Sequence, residues 1–388
     1  MLHIVIAMND YIYLDNAATS GMKPQCVKDA VLRALEEPGS PNRGAHYASV
    51  AAMQTVLSAR ETACAYFDAT DPERIIFTKN GTEALNIAIR GVLKEGDHVV
   101  TTYNEHNSVM RVLSELKKEG KITYTLVSPN ADGCITAERI RAALQKDTRL
   151  VAVCAASNVS GGTAELREIG KAAHAAGALF LVDAAQMAGH ERISVRNEDI
   201  DLFCTPAHKG LLAPMGLGLL AISHRAEPLP LIYGGTGSDS RMLLQPRDFP
   251  DGLEAGTMNT PAIYGLEASL GFLMKNGELL SEQLHALSFY LRRALGEMEE
   301  VELFASSKSL TVFSFRLKNE EPDETSDHLA SIGIATRAGL HCAPLLHAKM
   351  GTEKSGLVRV GLSPFNTLSE LKRLINALKT HVLFIKHR

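Results

Sequence analysis

Short β-rich runs alternate with helical patterns through this 388-residue chain, and that alternation restricts the fold more than any other feature. The runs are RIIFT (74–78), HVVTTY (98–103), ITYTLV (122–127), RLVAVCAAS (149–157), ALFLVDAA (178–185), DLFCT (201–205) and GLGLLAIS (216–223). Amphipathic helical patterns lie between them; in TEALNIAIRGVL, Leu85, Ala88, Ile89, Val92 and Leu93 share one face. The pattern predicts an α/β fold with a mostly parallel sheet covered on both sides by helices. After about residue 260 the texture changes. Long helical stretches precede three short strands, at 311–317, 334–337 and 357–361, and a last helix carries Leu371, Leu374, Ile375 and Leu378 on one face. A smaller α+β domain is expected there, packed closely on the first, since no repeat, low-complexity tract or long linker intervenes.

Composition removes several classes of function. With 45% hydrophobic and 22% charged residues the chain is ordinary core-forming material. At ~150 residues per domain it should hold two or three units. A formal charge of -4 gives no reason to expect nucleic acid or an anionic membrane as partner. The opening MLHIVIAMND has too short an apolar run, and no basic start, for a signal peptide or membrane helix. Six scattered cysteines with no CxxC pair read as reduced thiols, so a cytoplasmic location is expected.

In open α/β sheets, ligands bind beyond the carboxyl ends of the strands. Asn80, Gly81 and Thr82 follow the first run and enter a helix, where they suit either a phosphate or a plain cap. His106 follows the second, as a structural hydrogen-bonder or a catalyst. Asn158 follows the fourth, turning the chain with Gly161 and Gly162 or facing a ligand. Asp183 ends four apolar residues and, if buried, must be paired; Gln186 comes next. In PAHKGLLAPMGLG (206–218), Lys209 is the one charged residue apart from a neutral His208. An amine, a buried carboxylate, an imidazole and a phosphate cradle on one rim together specify pyridoxal phosphate. The lysine forms a Schiff base with its aldehyde, and the aspartate keeps the ring nitrogen protonated.

The motifs YLDNAATS, PNRGAHYAS, FTKNGTEALN, EHNS, SNVSG, VDAAQ, HKG…GLG, EAGTMNT, RAGLHCAP and VRVGLSPFNT occur in that order. Together they resemble fold-type I pyridoxal phosphate enzymes of aminotransferase class V, most closely the cysteine desulfurase and selenocysteine lyase group. The resemblance implies a homodimer acting on L-cysteine or L-selenocysteine. It puts the cofactor on Lys209, His106 over the ring, Asp183 at the ring nitrogen, and Gln186 and Asn158 near the ring hydroxyl. Gly81, Thr82 and His208 would face the phosphate, with Thr257 reaching the neighbouring subunit's phosphate. Arg359 would hold the substrate carboxylate, with Asn158, Ala18 and His46 also on the substrate side. The cofactor domain would span 21–257, and 1–20 with 258–388 would form the small domain that carries the cysteine loop. Two positions depart from the pattern. Pro206 stands where the family has a phosphate-binding Ser or Thr, so that contact is lost or passes to Thr205; Ala207 replaces a usual Gly.

TRAGLHCAPLLH brings Cys342, which separates desulfurases from transaminases. Sulfur transfer needs a nucleophile on a loop that can reach the substrate, and Gly339, Gly351 and Gly356 would allow a mobile one. Two other readings compete: a buried small hydrophobe, or a metal site with His341 and His347, which lacks a fourth ligand. No metal is expected. The mechanism implied has Lys209 taking the α-proton, the Cys342 thiolate taking sulfur as a persulfide, and alanine leaving. His106 would shuttle protons with a pKa near neutrality, and a sulfur- or selenium-acceptor protein could follow. Another class V aminotransferase or β-eliminating lyase, or a non-catalytic interaction protein on this fold, remain alternatives.

Overall fold

A computed structural model describes residues 11–37, 39–41, 44–237 and 241–386. The segment MLHIVIAMND and part of PNRGAHYAS lie outside the described residues. In chain order the first elements are β1 (Ile12–Tyr13), α1 (Gln25–Glu36), α2 (Tyr47–Tyr66), β2 (Ile75–Thr78) and α3 (Gly81–Val92). Then come β3 (Asp97–Thr102), α4 (Asn107–Lys118), β4 (Ile122–Val127), α5 (Ala137–Ala143) and β5 (Thr148–Cys154). Next are α6 (Leu166–Ala175), β6 (Leu179–Asp183), β7 (Leu202–Pro206), β8 (Gly218–Ile222) and the long α7 (Thr260–Gly296). The chain continues with β9 (Val301–Leu303), β10 (Val312–Leu317), α8 (Pro322–Ser331), β11 (Ile334–Ala335) and β12 (Arg337–Gly339). It ends with α9 (Pro344–Met350), β13 (Leu357–Gly361) and α10 (Leu368–Lys386).

Seven strands form the large sheet, in the order β2-β8-β7-β6-β5-β3-β4. Only β8 runs against its neighbours, so β2, β3, β5, β6 and β7 all end at one edge. Strands β5 to β8 are buried almost throughout, because helices cover both faces. Alternation along β6 feeds two cores. Phe180 and Val182 pack with Phe67, Ile169 and Phe203, while Leu179 and Leu181 pack with Leu85, Ile89 and Leu113. Each of the seven expected runs holds one of these strands.

The second sheet has the order β12-β13-β10-β9 and its own core, in which Phe313, Phe315, Val358 and Val360 meet Leu371, Leu374, Ile375 and Leu378. Helix α7 straddles the two cores: Ile263, Leu266 and Leu270 join the large one, Leu284, Leu287 and Leu291 the small one. The expected strand at 334–337 divides. Ile334–Ala335 pairs with β1, whereas Arg337–Gly339 pairs with β13. Among the described residues, no helix is long and apolar enough to cross a membrane.

Candidate active site

The loops after β2, β3, β5, β6 and β7 enclose a cavity of about 240 Å³. Ala18, Gly81, Thr82, His106, Asn158, Asp183, Gln186, His208 and Lys209 all line it. Asn80 does cap α3, its Oδ1 accepting from Glu83 N at 2.9 Å. The cap and the cradle coexist, since a helix end leaves its first amides, here those of Gly81 and Thr82, without helical acceptors. A Cβ on Gly81 would lie 3.1 Å from Pro206 Cδ, a tight contact to which the proline ring would have to yield.

Lys209 follows β7. Burial pushes its amine down to about 8, against the pull of Asp183, and among the described residues its Nζ has no hydrogen bond or ion pair. Asp183, at the end of β6, accepts from Ala185 N at 3.0 Å. Burial raises its pKa, opposed by that bond and by Lys209. A carboxylate this dry calls for a further cationic or N–H partner from the cavity. His106 caps α4, its Nδ1 taking Ser108 N at 3.1 Å, which leaves Nε2 to carry the proton. Burial, then the charges of Lys209 and Arg359, push it down to about 4. It is neutral at pH 7, not poised near neutrality as the sequence suggested. His208 is likewise pushed down to about 4 by burial. Its carbonyl accepts from Lys23 Nζ at 2.9 Å, a lysine that burial lowers to about 8.

Cys342 is exposed, which removes the buried-hydrophobe reading. It sits in a tight turn between β12 and α9, where Ala343 N donates to Leu340 O at 2.9 Å. Asn158 Nδ2 donates to His341 O at 2.6 Å, and Asn107 N to Cys342 O at 2.8 Å. His341 and Cys342 both hold left-handed φ, 49° and 58°, a conformation that costs on the order of 1–3 kcal/mol per residue unless its surroundings impose it. The expected mobile loop is therefore a pinned turn. Its glycines serve other ends: Gly351 closes α9, and a Cβ on Gly356 would come within 2.6 Å of the Gly339 carbonyl carbon. His341 and His347 spend a ring nitrogen each on Leu357 O (3.0 Å) and Thr352 Oγ1 (2.8 Å).

Arg359 lies outside the cavity lining but close enough to act on the charge of Lys209 and His106. Its Nη2 meets Asp15 Oδ1 at 3.2 Å, its Nη1 donates to Asn158 O at 3.2 Å, and its buried Nε has no partner. Besides Arg359 and Cys342, three expected residues do not line this chain's cavity. His46 is exposed and caps α2 through Ser49. Thr257 is exposed, in a segment anchored by buried Glu254, which accepts from Phe77 N at 2.6 Å and pairs with Arg60. Thr205 cannot replace the lost phosphate hydroxyl: it alternates away from Pro206 on β7 and donates to Pro206 O at 3.3 Å. Sequence reasoning missed Asn104 and Ser108, which line the cavity, and the Asp15 that holds Arg359. All three lie in YLDNAATS or beside His106, where a motif was visible but no role was.

Glu105 was also missed. It is 1% exposed, with Oε1 accepting from Thr102 Oγ1 (2.6 Å) and Cys154 N (2.9 Å) and Oε2 buried without a partner. Burial pushes it up to about 8, the charge of Asp183 adding to the rise. The folded chain thus holds a proton that the unfolded chain sheds near pH 4.5. The stability this contributes is full below that value and is lost as pH rises to about 8. Glu105→Gln keeps the neutral shape and removes the titration. Its melting temperature should fall less than that of the wild type between about pH 5 and pH 8; parallel slopes would show that Glu105 is ionised in the fold.

A family model for aminotransferase class V matches residues 12–374. The chain belongs to the aminotransferase class-V family. It is 32% identical to a probable cysteine desulfurase of Methanothermobacter thermautotrophicus, over 96% of this chain and 95% of that protein. A cysteine desulfurase of an Enterobacter species is 31% identical, over 95% and 92%. The apo structure of a cysteine desulfurase from Thermococcus onnurineus matches with a TM-score of 0.90 at 30% identity, covering 96% of this chain and 95% of that one. Cysteine desulfurase CsdA of Escherichia coli matches with a TM-score of 0.87 at 26% identity, covering 97% and 96%. The expected class V α/β architecture is borne out.

Proposed function

We propose that the protein is a pyridoxal phosphate-dependent cysteine desulfurase that takes sulfur from L-cysteine onto Cys342 and leaves L-alanine, with L-selenocysteine as a second substrate. The observation that carries this reading is an exposed thiol on a pinned turn, close enough to act on the charge of a buried, unpaired lysine. The chain's residues fit the cofactor. Dry Asp183 lacks the cationic partner that a pyridine nitrogen offers, and Gly81 and Thr82 open a helix end suited to a phosphate. Asn158 and Gln186 line the same cavity, on the side proposed for the ring hydroxyl. Bound there, pyridoxal phosphate supplies an aldehyde for an amine and a ring that withdraws electrons from the substrate's Cα.

Lys209 would hold the aldehyde end of the cofactor, and its Nζ, when free, would take the substrate's Cα proton. Arg359 has Nε and the Nη hydrogens that Asp15 and Asn158 O leave free for the substrate carboxylate, enough for a bidentate grip. The Cys342 thiolate attacks the substrate's sulfur. An S–S bond forms, the Cβ–S bond breaks with its electron pair left on carbon, and protonation of the three-carbon fragment gives alanine. The exposed persulfide can then pass to an acceptor protein. His106, held neutral, bounds the cavity without opposing the charge of Lys209. Measuring alanine and sulfide from L-cysteine in the presence of a reductant tests the reading; no alanine above the protein-free rate would sink it.

In this reading residues 21–257 hold the cofactor, and 1–20 with 258–388 carry the cysteine turn. We also propose a homodimer in which Thr257 serves the partner's phosphate. Leu243 is 99% exposed between exposed Met242 and Leu244, and Tyr233 is exposed earlier in the same segment. Bare apolar side chains of that kind ask for cover. Light scattering should give twice the 41.9-kDa chain mass. Thr257→Ala should weaken cofactor retention by the worth of one charge-assisted contact, about 1.5–3 kcal/mol. A fully active monomer would contradict both expectations. With all six cysteines free, a reducing, cytoplasmic setting is proposed.

A further inference from the structure

Behind the first cavity lies a second and larger one, of about 580 Å³, between the large sheet's helices and the small domain. Ala156 and Gln186 line both cavities and so form the wall between them. Helix α7 presents His285, Ser288, Phe289 and Arg292 to the second cavity, the i, i+3, i+4, i+7 spacing of one helical face. Its charges do not balance. Arg167, Arg192, Arg292 and Lys308 line it against two acidic residues, Glu191 and Glu198.

The cations are also poorly compensated. Arg292 is half-buried, yet its guanidinium rests on two neutral carbonyls, Ser306 O and Ser309 O (2.7 Å for the latter), and over the Phe313 ring. Asp132 is the carboxylate whose charge it feels, and that group is engaged by Ser306 and Ser307. Among the described residues, the side chains of Arg192 and Lys308 make no hydrogen bond or ion pair. Of the two carboxyls, Glu191 lies 3.5 Å from His285 Nε2. Glu198 Oε2 is buried without a partner, and burial raises this carboxyl's pKa, opposed by Ser194 N and by the charge of Arg167. His190 Nδ1 is a second buried polar atom without a partner, on a ring that burial keeps neutral. One side is apolar: Phe289, 69% exposed, with Leu310 and Met187.

A half-buried guanidinium resting on neutral carbonyls, two exposed cations without counter-ions, buried polar atoms without partners and an exposed aromatic wall form the complement of an anionic head joined to a flat apolar body. We propose that this cavity is a second ligand site, for a small organic anion whose phosphate or carboxylate head meets Arg292, Arg192 and Lys308 while its body lies on Phe289 and Leu310. The site is separate from the one that takes the cofactor, and its occupation does not depend on the reaction proposed above.

The test uses the cofactor-loaded protein, in which the first cavity is filled, and anilinonaphthalene sulfonate as a fluorescent probe with this head and body. One saturable site per chain is expected, at least ~10-fold weaker after Arg192→Glu with Lys308→Glu. Both substitutions lie on exposed side chains, so the fold and the basal turnover should persist. Adenosine monophosphate and phenylacetate then serve as competitors with the two kinds of head. Displacement by the first points to a phosphorylated ligand, and by the second to a carboxylate. Equal probe affinity in the double variant overturns the proposal, as does displacement by neither competitor. Weakening in the variant together with displacement by one competitor supports it, even if cysteine proves not to be the substrate.

Discussion

Lys209→Ala should remove turnover and the visible absorption of the purified protein together. The wild type should be yellow, with a visible band that borohydride abolishes; the variant should bind cofactor only reversibly and lose it on dialysis. The amine is suited to this because burial has lowered it to about 8 and no carboxylate contacts it. Loss of a group that both anchors the cofactor and moves a proton should cost ~10²–10⁴-fold or more in turnover. Lys209→Arg separates charge from chemistry, since it keeps a cation near Asp183 but offers no nucleophile; it should be as inactive as the alanine variant. Stability should move the other way. An amine with a lowered pKa in the fold binds its proton less well than in the unfolded chain. Stability therefore rises with pH between about 8 and 10.5 and is reduced by the full amount below that window. Without cofactor, Lys209→Ala should melt no lower than the wild type at pH 7, and its melting temperature should lack that rise. A variant that stays yellow through dialysis and still turns over would remove Lys209 from the chemistry.

The large sheet was legible in the sequence for a physical reason. Strands buried on both faces must be apolar at nearly every position, so RLVAVCAAS and ALFLVDAA stand out from the helices around them. Polar residues that interrupt such runs at their carboxyl ends had to share one edge, and His106, Asn158, Asp183 and Lys209 do line one cavity. Strands β1 and β9, of 2 and 3 residues, leave no periodicity to read. The cysteine turn was misjudged because its restraint is tertiary: Asn158 reaches His341 across 183 positions. Gly356 looked like a hinge but is required by the close approach of Gly339. The neutral state of His106 has the same origin, in burial and in the charges of Lys209 and Arg359. Thr205 was the avoidable error, because strand alternation already sends it away from the face that Pro206 occupies.

Cys342→Ala should abolish alanine production from cysteine while leaving a substantial part of the activity on selenocysteine. Alanine forms only if the bonding pair stays on carbon, so sulfur leaves as a neutral atom and needs a nucleophile to accept it. The bond from carbon to selenium is weaker, so a neutral selenium atom passes more readily to a small thiol supplied in the assay when Cys342 is missing. The pinned turn sharpens the contrast. Asn158 and Asn107 hold the carbonyls of His341 and Cys342, so the thiol reaches a fixed region instead of searching with a flexible loop. Sulfur transfer should therefore be slow even in the wild type, and its rate should depend on that placement. The measurement is anaerobic alanine formation from both amino acids by both proteins. On cysteine the variant should lose ~10³-fold or more, as when a nucleophile is removed from a concerted site. On selenocysteine it should stay within ~10-fold, about 1.4 kcal/mol in the barrier. Equal and total loss on both would mean that Cys342 also serves selenium, as its acceptor or as an acid that protonates the carbon it leaves. Undiminished activity on cysteine would mean that the sulfur leaves without Cys342, and the desulfurase mechanism would fall.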